Sequence, residues 1–408
     1  MSETEKLYWV DPLATAFETT GARLATFADK PAIVLPRTMF YPEGGGQLGD
    51  TGTLAIGDTI VRVADTQIDD GGVIHHLIEG APATVGEEIV VRGRIDGERR
   101  LDHMAQHTAQ HALSRAFVDH ARAETVSARL GASTCTIDLK RAGVPDAELH
   151  RAEDIVNGLV RSDVAVRSHH PTPEELARMP LRRAPKVSEG IRVIEIDQFD
   201  FTPCGGTHTT RTGQIGQVRI VGVEKYKGML RVTFHAGLRA LADARSKHDA
   251  LAAAAADLTC GMLDVPSAIG KLRADLKGTR TALDAARTEL ATLVAKSLRE
   301  ALPAGDGPIV VPIVRANDDV AALRVLAGKL AEDSRVVALV GSGDPSTGEL
   351  VLVVQRGDKG MLDCGAFMLA QAKERGGRGG GRPERAEGRF PRGTSLEVLA
   401  AAASAALG

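Results

Sequence analysis

Around Leu238 the chain changes pattern, and that change limits the folds open to it more than any other feature. Before it, residues 6–95 are short apolar stretches (PAIVLPRT, TGTLAIG, TIVRVADTQ, GVIHHLI, EIVVRGRID) broken by turns. Their β-branched content and glycine punctuation predict a small β-barrel. From Asp102 to about His120 the spacing becomes helical, with Ala109, Leu113, Ala116 and Phe117 on one apolar face. Strand-like TCTIDL (134–139), a helix from Pro145 and Asp146 through Val160, and the strands IRVIEID and GQVRIVGVEKY follow. An antiparallel sheet with packed helices is the natural α+β reading. After Leu238 the residues are mostly Ala, Leu and charged. Leu272, Leu276, Thr279, Leu283, Ala286, Leu290 and Leu293 fall on alternating steps of four and three, and Leu241, Ala244, His248, Leu251, Ala255, Leu258 and Met262 do the same. Two narrow seams joined by a Pro-containing turn predict an antiparallel helical hairpin. Beyond Pro303, GPIVVPIV, RVVALVGSG and ELVLVVQRG read as buried strands with a helix between the first two. The expected fold is therefore α+β and multidomain: a β-barrel over 1–95, an α+β domain over 96–237, the hairpin over 238–302 and an α/β domain over 303–408. A length of 408 residues suits this division, at ~100–200 residues per domain.

Charge and composition narrow the function. Aromatic residues make up 3% of the chain, which argues against a protein that reads nucleic acid chiefly by stacking many bases. The 50 Lys+Arg and 53 Asp+Glu leave a net charge of −3, so any nucleic-acid contact must be local. Residues 371–393, QAKERGGRGGGRPERAEGRFPRG, are such a place, basic and glycine-rich. They read either as a flexible loop or as a phosphate-contacting surface, with Arg378, Arg382 and Arg385 supplying charge. No run approaches the ~18 apolar residues of a membrane helix, and MSETEKLYWVDP has no signal-peptide stretch, so a cytoplasmic protein is expected. Four cysteines are too few for a disulfide scaffold. Cys135, Cys260 and Cys364 are expected to be small buried hydrophobes.

The histidines carry the chemistry. His103, His107 and His111 are spaced by four, so each adjacent pair shares a helix face and can bind one metal ion. The segment CGGTH (204–208) supplies a thiolate and an imidazole four residues apart, with glycines that let the loop bend tightly. Two helical histidines with Cys204 and His208 make a donor set suited to Zn2+. Spacing does not decide which helical pair takes part.

HTAQHALSRAF (107–117) followed by CGGTHTTRTGQIG (204–216) resembles the editing domain of alanyl-tRNA synthetase and its free-standing relatives, the AlaX proteins. TMFYPEGGGQLGDTG (38–52) resembles the glycine-rich segment preceding that domain, and GGRGGGRPERAEG (376–388) the glycine motif of the DHH-associated C-terminal domain. The order and extent of these motifs are similar to long-form AlaX. The resemblance implies Zn2+ on His107, His111, Cys204 and His208, which would act through the metal as an ATP-independent aminoacyl-tRNA deacylase. Its substrate would be tRNA(Ala) mischarged with serine or glycine. Gly45, Gly46, Gln47, Thr108, Gln110, Thr125 and Ser127 are the substrate-side candidates, because a site that hydrogen-bonds the serine hydroxyl rejects alanine. The C-terminal region is implied in binding tRNA through Arg378, Arg382 and Arg385, and in homodimerisation. His103 is expected at the helix surface. The rival readings are a non-catalytic zinc-containing tRNA-binding protein and a DHH-type phosphoesterase relative. The second lacks its Asp-His-His signature here, since DHMAQH has no adjacent second histidine.

Overall fold

The computed structural model describes residues 3–80, 85–86, 88–185, 187–316, 318–343 and 348–408. It forms two compact units, Met1–Ala253 and Ala254–Gly408, and the boundary falls inside helix Gly237–Asp257. The architecture is mixed α+β with several sheets.

In the first unit, seven strands form one antiparallel sheet in the order Ala16–Thr19, Val91–Ile95, Gly52–Ile56, Thr59–Ile68, Ile74–Glu79, Lys30–Val34 and Arg23–Phe27. Period-two burial in Val91–Ile95 puts one face on a core with Leu54, Ile56 and Val63. The expected barrel does not close. The edge strands are consecutive in sequence, but no ladder joins them among the described residues. Only Thr20–Ala22 links them, with Gly21 at φ +77°, so the two edges lie within the reach of three residues and the sheet curls without a closing ladder.

Helix Gly97–Ala121 starts a turn before the apolar pattern does, because the Asp96 carboxylate accepts from the Arg99 amide and caps it. Its Ala109, Leu113, Ala116 and Phe117 are wholly buried, as the pattern requires. They pack with helix Asp146–Ser162 and a four-stranded antiparallel sheet ordered Thr125–Leu130, Cys135–Leu139, Met229–Ala236, Val218–Tyr226. Burying side chains such as Phe117 and Phe234 stabilises the unit by about 1.5–3 kcal/mol each. A three-stranded antiparallel sheet, Val166–His169, Val193–Ile196 and Asp200–Pro203, delivers the chain into the CGGTH loop.

Helices Gly237–Asp257 and Val265–Glu300 both form where the seams lie. The seams themselves stay open: Leu241, Leu272, Leu276, Leu283, Leu290 and Leu293 are all exposed. The helices differ in length, 36 residues spanning about 54 Å and 21 residues about 32 Å.

In the second unit, the end of the long helix buries Ala291 and Ala295 in a core shared with helix Val320–Leu330. A five-stranded sheet runs Ile309–Ala316, Val336–Gly343, Leu350–Arg356, Arg385–Phe390, Arg378–Arg382, with only the first pair parallel. The α/β pattern is met at that pair alone, through the crossover helix Val320–Leu330, and the rest of the sheet is antiparallel. The basic segment is no loop. It folds as the last hairpin of this sheet, with Ala386, Gly388 and Phe390 alternately buried.

Candidate metal centre

Three segments of the first unit converge. Helix Gly97–Ala121 presents His107 and His111 one turn apart, and the loop after strand Asp200–Pro203 brings Cys204 and His208 against them. One ligand atom from each of the four lies within 4.8 Å of the others. Cys204 Sγ is 3.4 Å from His107 Nε2 and 3.4 Å from His208 Nε2. The histidines are buried, and Cys204 is half-buried as a residue although its thiol is desolvated.

The third segment holds the rings from behind. His107 Nδ1 lies 2.7 Å from Gln47 Oε1, which also accepts from the Thr207 amide at 3.1 Å. The Gln47 Nε2 donates to Thr207 Oγ1 at 2.7 Å. Thr108 Oγ1 donates to the Met104 carbonyl and faces His208 Nδ1 at 3.3 Å. Each contact assigns the proton to Nδ1 and leaves Nε2 a lone pair for a metal. Gly206 has to be glycine, because a Cβ there would come 2.2 Å from His107 Cε1. Buried Arg100 fixes the arrangement further, with its guanidinium on Asp50, whose carboxylate also accepts from the Tyr41 amide at 2.7 Å. Gly46, at φ +90°, lets its loop lie against strand Thr125–Leu130, where its carbonyl accepts from the Leu130 amide at 2.8 Å.

Burial keeps the imidazoles neutral but disfavours the thiolate. Burial pushes His107 down to about 3 and His111 and His208 well below the imidazole range, so all three are neutral near pH 7. Burial raises the Cys204 thiol, while the Gly206 amide and the guanidiniums of Arg192, Arg183 and Arg182 pull it down. His111 Nδ1 is buried with no hydrogen-bond partner, and the nearest carboxylate oxygen, Asp200 Oδ2, stands 3.8 Å away. Three neutral imidazoles and one thiol with a shared focus fit a metal ion of the zinc type.

The other sequence candidates lie apart from this focus or are engaged elsewhere. His103 is buried rather than at the surface, its Nδ1 without a partner, and it is not among the four. Gln110 and Thr125 both donate to Ser114 Oγ at 2.7 Å. Ser127 donates to Asp138 at 2.6 Å, on a polar hollow of about 590 Å³ that also includes Arg129, Thr136, Tyr226 and Arg231. Gly45 and Gly46 are exposed. Arg378, Arg382 and Arg385 are exposed on the C-terminal hairpin of the second unit. Cys135 and Cys364 are buried as expected, whereas Cys260 is only half-buried.

The sequence reading missed Asp200, Arg182, Arg192 and Trp9. Asp200 takes the Arg182 guanidinium at 2.8 Å and the Thr202 hydroxyl at 2.7 Å. Arg192 donates to the carbonyls of Cys204 and Gly206 at 3.2 and 2.7 Å. The available signal was proximity in sequence to CGGTH, for Asp200 and Arg192 only.

Two family descriptions match this unit: class II (A) tRNA synthetases over residues 16–99, and the threonyl and alanyl tRNA synthetase second additional domain over 191–233. Together these matches take in less than half of the chain. Its relatives include the alanine–tRNA ligases of Halorubrum lacusprofundi, 32% identical over 407 residues, and Natronomonas pharaonis, 31% identical over 414. Each alignment takes in 97% of this chain and 43% of the ligase, so the chain spans less than half the length of these relatives. The solved C-Ala domain of Aquifex aeolicus alanyl-tRNA synthetase is similar to 26% of this chain and 98% of its own, at 16% identity and TM-score 0.23. Among the described residues, no helix is long and apolar enough to cross a membrane.

Proposed function

We propose that the protein is a trans-editing deacylase, hydrolysing the ester that joins serine, and secondarily glycine, to the 3′ end of tRNA(Ala). The observation that carries this reading is the convergence of His107, His111, Cys204 and His208 within 4.8 Å, in a chain similar to alanine–tRNA ligases. In this reading the four residues hold Zn2+, which when bound would polarise the ester carbonyl or acidify a water. Gln47 and Thr108 orient the His107 and His208 imidazoles, and burial of all three histidines keeps bulk water from them. An aminoacyl ester is already activated, so an oriented water and modest charge stabilisation suffice. We assign the division of labour to four parts: 1–95 with the glycine motif, 96–237 for chemistry, 238–302 as a helical connector and 303–408 for tRNA. We place the protein in the cytoplasm, with a homodimer through its C-terminal region.

The test is deacylation of seryl-, glycyl- and alanyl-tRNA(Ala) by the purified protein, with and without its metal. Rapid loss of serine, sparing of alanine and dependence on metal are expected. Comparable rates on seryl and alanyl esters would overturn the reading. Equal tRNA binding with no hydrolysis would favour a binding protein.

A further inference from the structure

We propose that Trp9 is a stacking platform for the terminal purine nucleotide of an RNA strand at the mouth of the His/Cys cluster, with Lys6 meeting its phosphate. The proposal rests on the reading above, that the substrate is an ester at an RNA 3′ end. Trp9 is the one tryptophan of the chain, and it is half-buried. Its indole N–H donates to the Gly205 carbonyl at 3.0 Å, so the ring is fixed beside the loop that carries Cys204 and His208. Gly205 itself is exposed, and a Cβ built there would meet nothing within 4 Å. Cys204, in the same loop, is the one residue of the cluster with partial exposure. One part of the ring packs on the buried Tyr8, Tyr41 and Ile74, and its indole edge is anchored at the loop.

The surroundings of the ring select the ligand. Lys6 Nζ lies 4.7 Å from the ring centroid and the Arg192 guanidinium carbon 5.7 Å. Arg192 is buried and committed to Ser168, Cys204 and Gly206, so it contributes positive potential and holds the loop. Lys6 sits on a flexible stem, tied to Glu3 at 2.6 Å, and can leave the ring face for an anion. The exposed His170 ring stands 5.7 Å from Trp9, tilted by 48°, and burial together with Arg192 lowers its affinity for a proton. Exposed Arg183 donates to the Pro203 carbonyl at 3.2 Å on the same loop. A flat aromatic face rimmed by cations suits a planar base bearing a phosphate and disfavours an apolar peptide.

Because Trp9 is the sole tryptophan, intrinsic fluorescence reads the contact directly. The RNA trinucleotide CCA is expected to quench it saturably, and to bind more tightly than CCC. By calorimetry, Trp9→Phe, which loses the Gly205 bond but keeps a ring, should retain most of the CCA affinity. Trp9→Ala should lose roughly tenfold and raise KM for the aminoacyl ester by a similar factor. Unsaturable quenching, equal affinities for CCA and CCC, or equal losses in the Phe and Ala variants would overturn the proposal; the last would make Trp9 a tether of Gly205 only. The binding arm needs no turnover. Quenching by CCA in a protein that hydrolyses no ester would leave the platform standing and remove the deacylase reading. Hydrolysis without quenching would remove the platform alone.

Discussion

The side-chain amide of Gln47 is committed at both ends, to His107 and to Thr207. Gln47→Leu would keep the volume and strand a buried imidazole N–H and a buried amide, so the His107 ring would lose its orientation. Metal affinity should fall by about 10–100-fold in competition with a chromophoric chelator. His103→Ala should leave the stoichiometry unchanged, because that ring lies outside the four-ligand set; equal losses in both variants would mean that the wrong helical pair has been assigned. His76 sets a pH limit on the fold. Its Nδ1–H donates to the Ile33 carbonyl and its Nε2 accepts from Thr38, both at 2.8 Å, and burial lowers it to about 4. A histidine depressed in the folded state stabilises the fold above its unfolded value of ~6.5, and that contribution is lost as pH falls toward 4. Denaturant unfolding at pH 5 should show on the order of 2 kcal/mol less stability than at pH 7 from this residue, and His76→Gln should flatten the dependence. A pH slope unaltered by that substitution would place the titration elsewhere.

Among the elements, helices were the more legible. The apolar face of Gly97–Ala121 was plain from its spacing, and its polar face, buried as thoroughly, contains the metal ligands. The chain cannot advertise that second burial, because a row of His, Gln and Thr also describes a solvated stripe. Strand Met229–Ala236 went unread although its burial alternates perfectly, since MLRVTFHA interleaves Met, Arg, Thr and His with its core residues. The barrel expectation failed because strand content says nothing of which edges meet. The hairpin Arg378–Arg382 and Arg385–Phe390 looked like a loop because glycines fill strand positions. Its cations are nonetheless displayed, while Glu387 is taken by Arg324 at 2.6 Å. Replacing Arg378, Arg382 and Arg385 with Gln should therefore weaken tRNA binding and reduce its salt slope by roughly two to three units, with turnover at saturation nearly unchanged. Collapse of turnover with affinity intact would assign this hairpin to the chemistry instead.

At the scale of the whole molecule, both halves of the four-ligand set and every group that orients them lie in Met1–Ala253. A protein ending at Ala253 should bind one metal ion per chain with the affinity of the full protein, as measured by elemental analysis and chelator competition. Loss of metal in that fragment would show that the second unit supports the site. Within the first unit, 97 residues separate His107 from Cys204. At ~5–20 residues per second, a ribosome takes roughly 5–20 s to supply the second pair of ligands after the first. The nascent helix therefore waits with two of the four cluster residues, and a metal that needs all four would be retained only after His208 has been made.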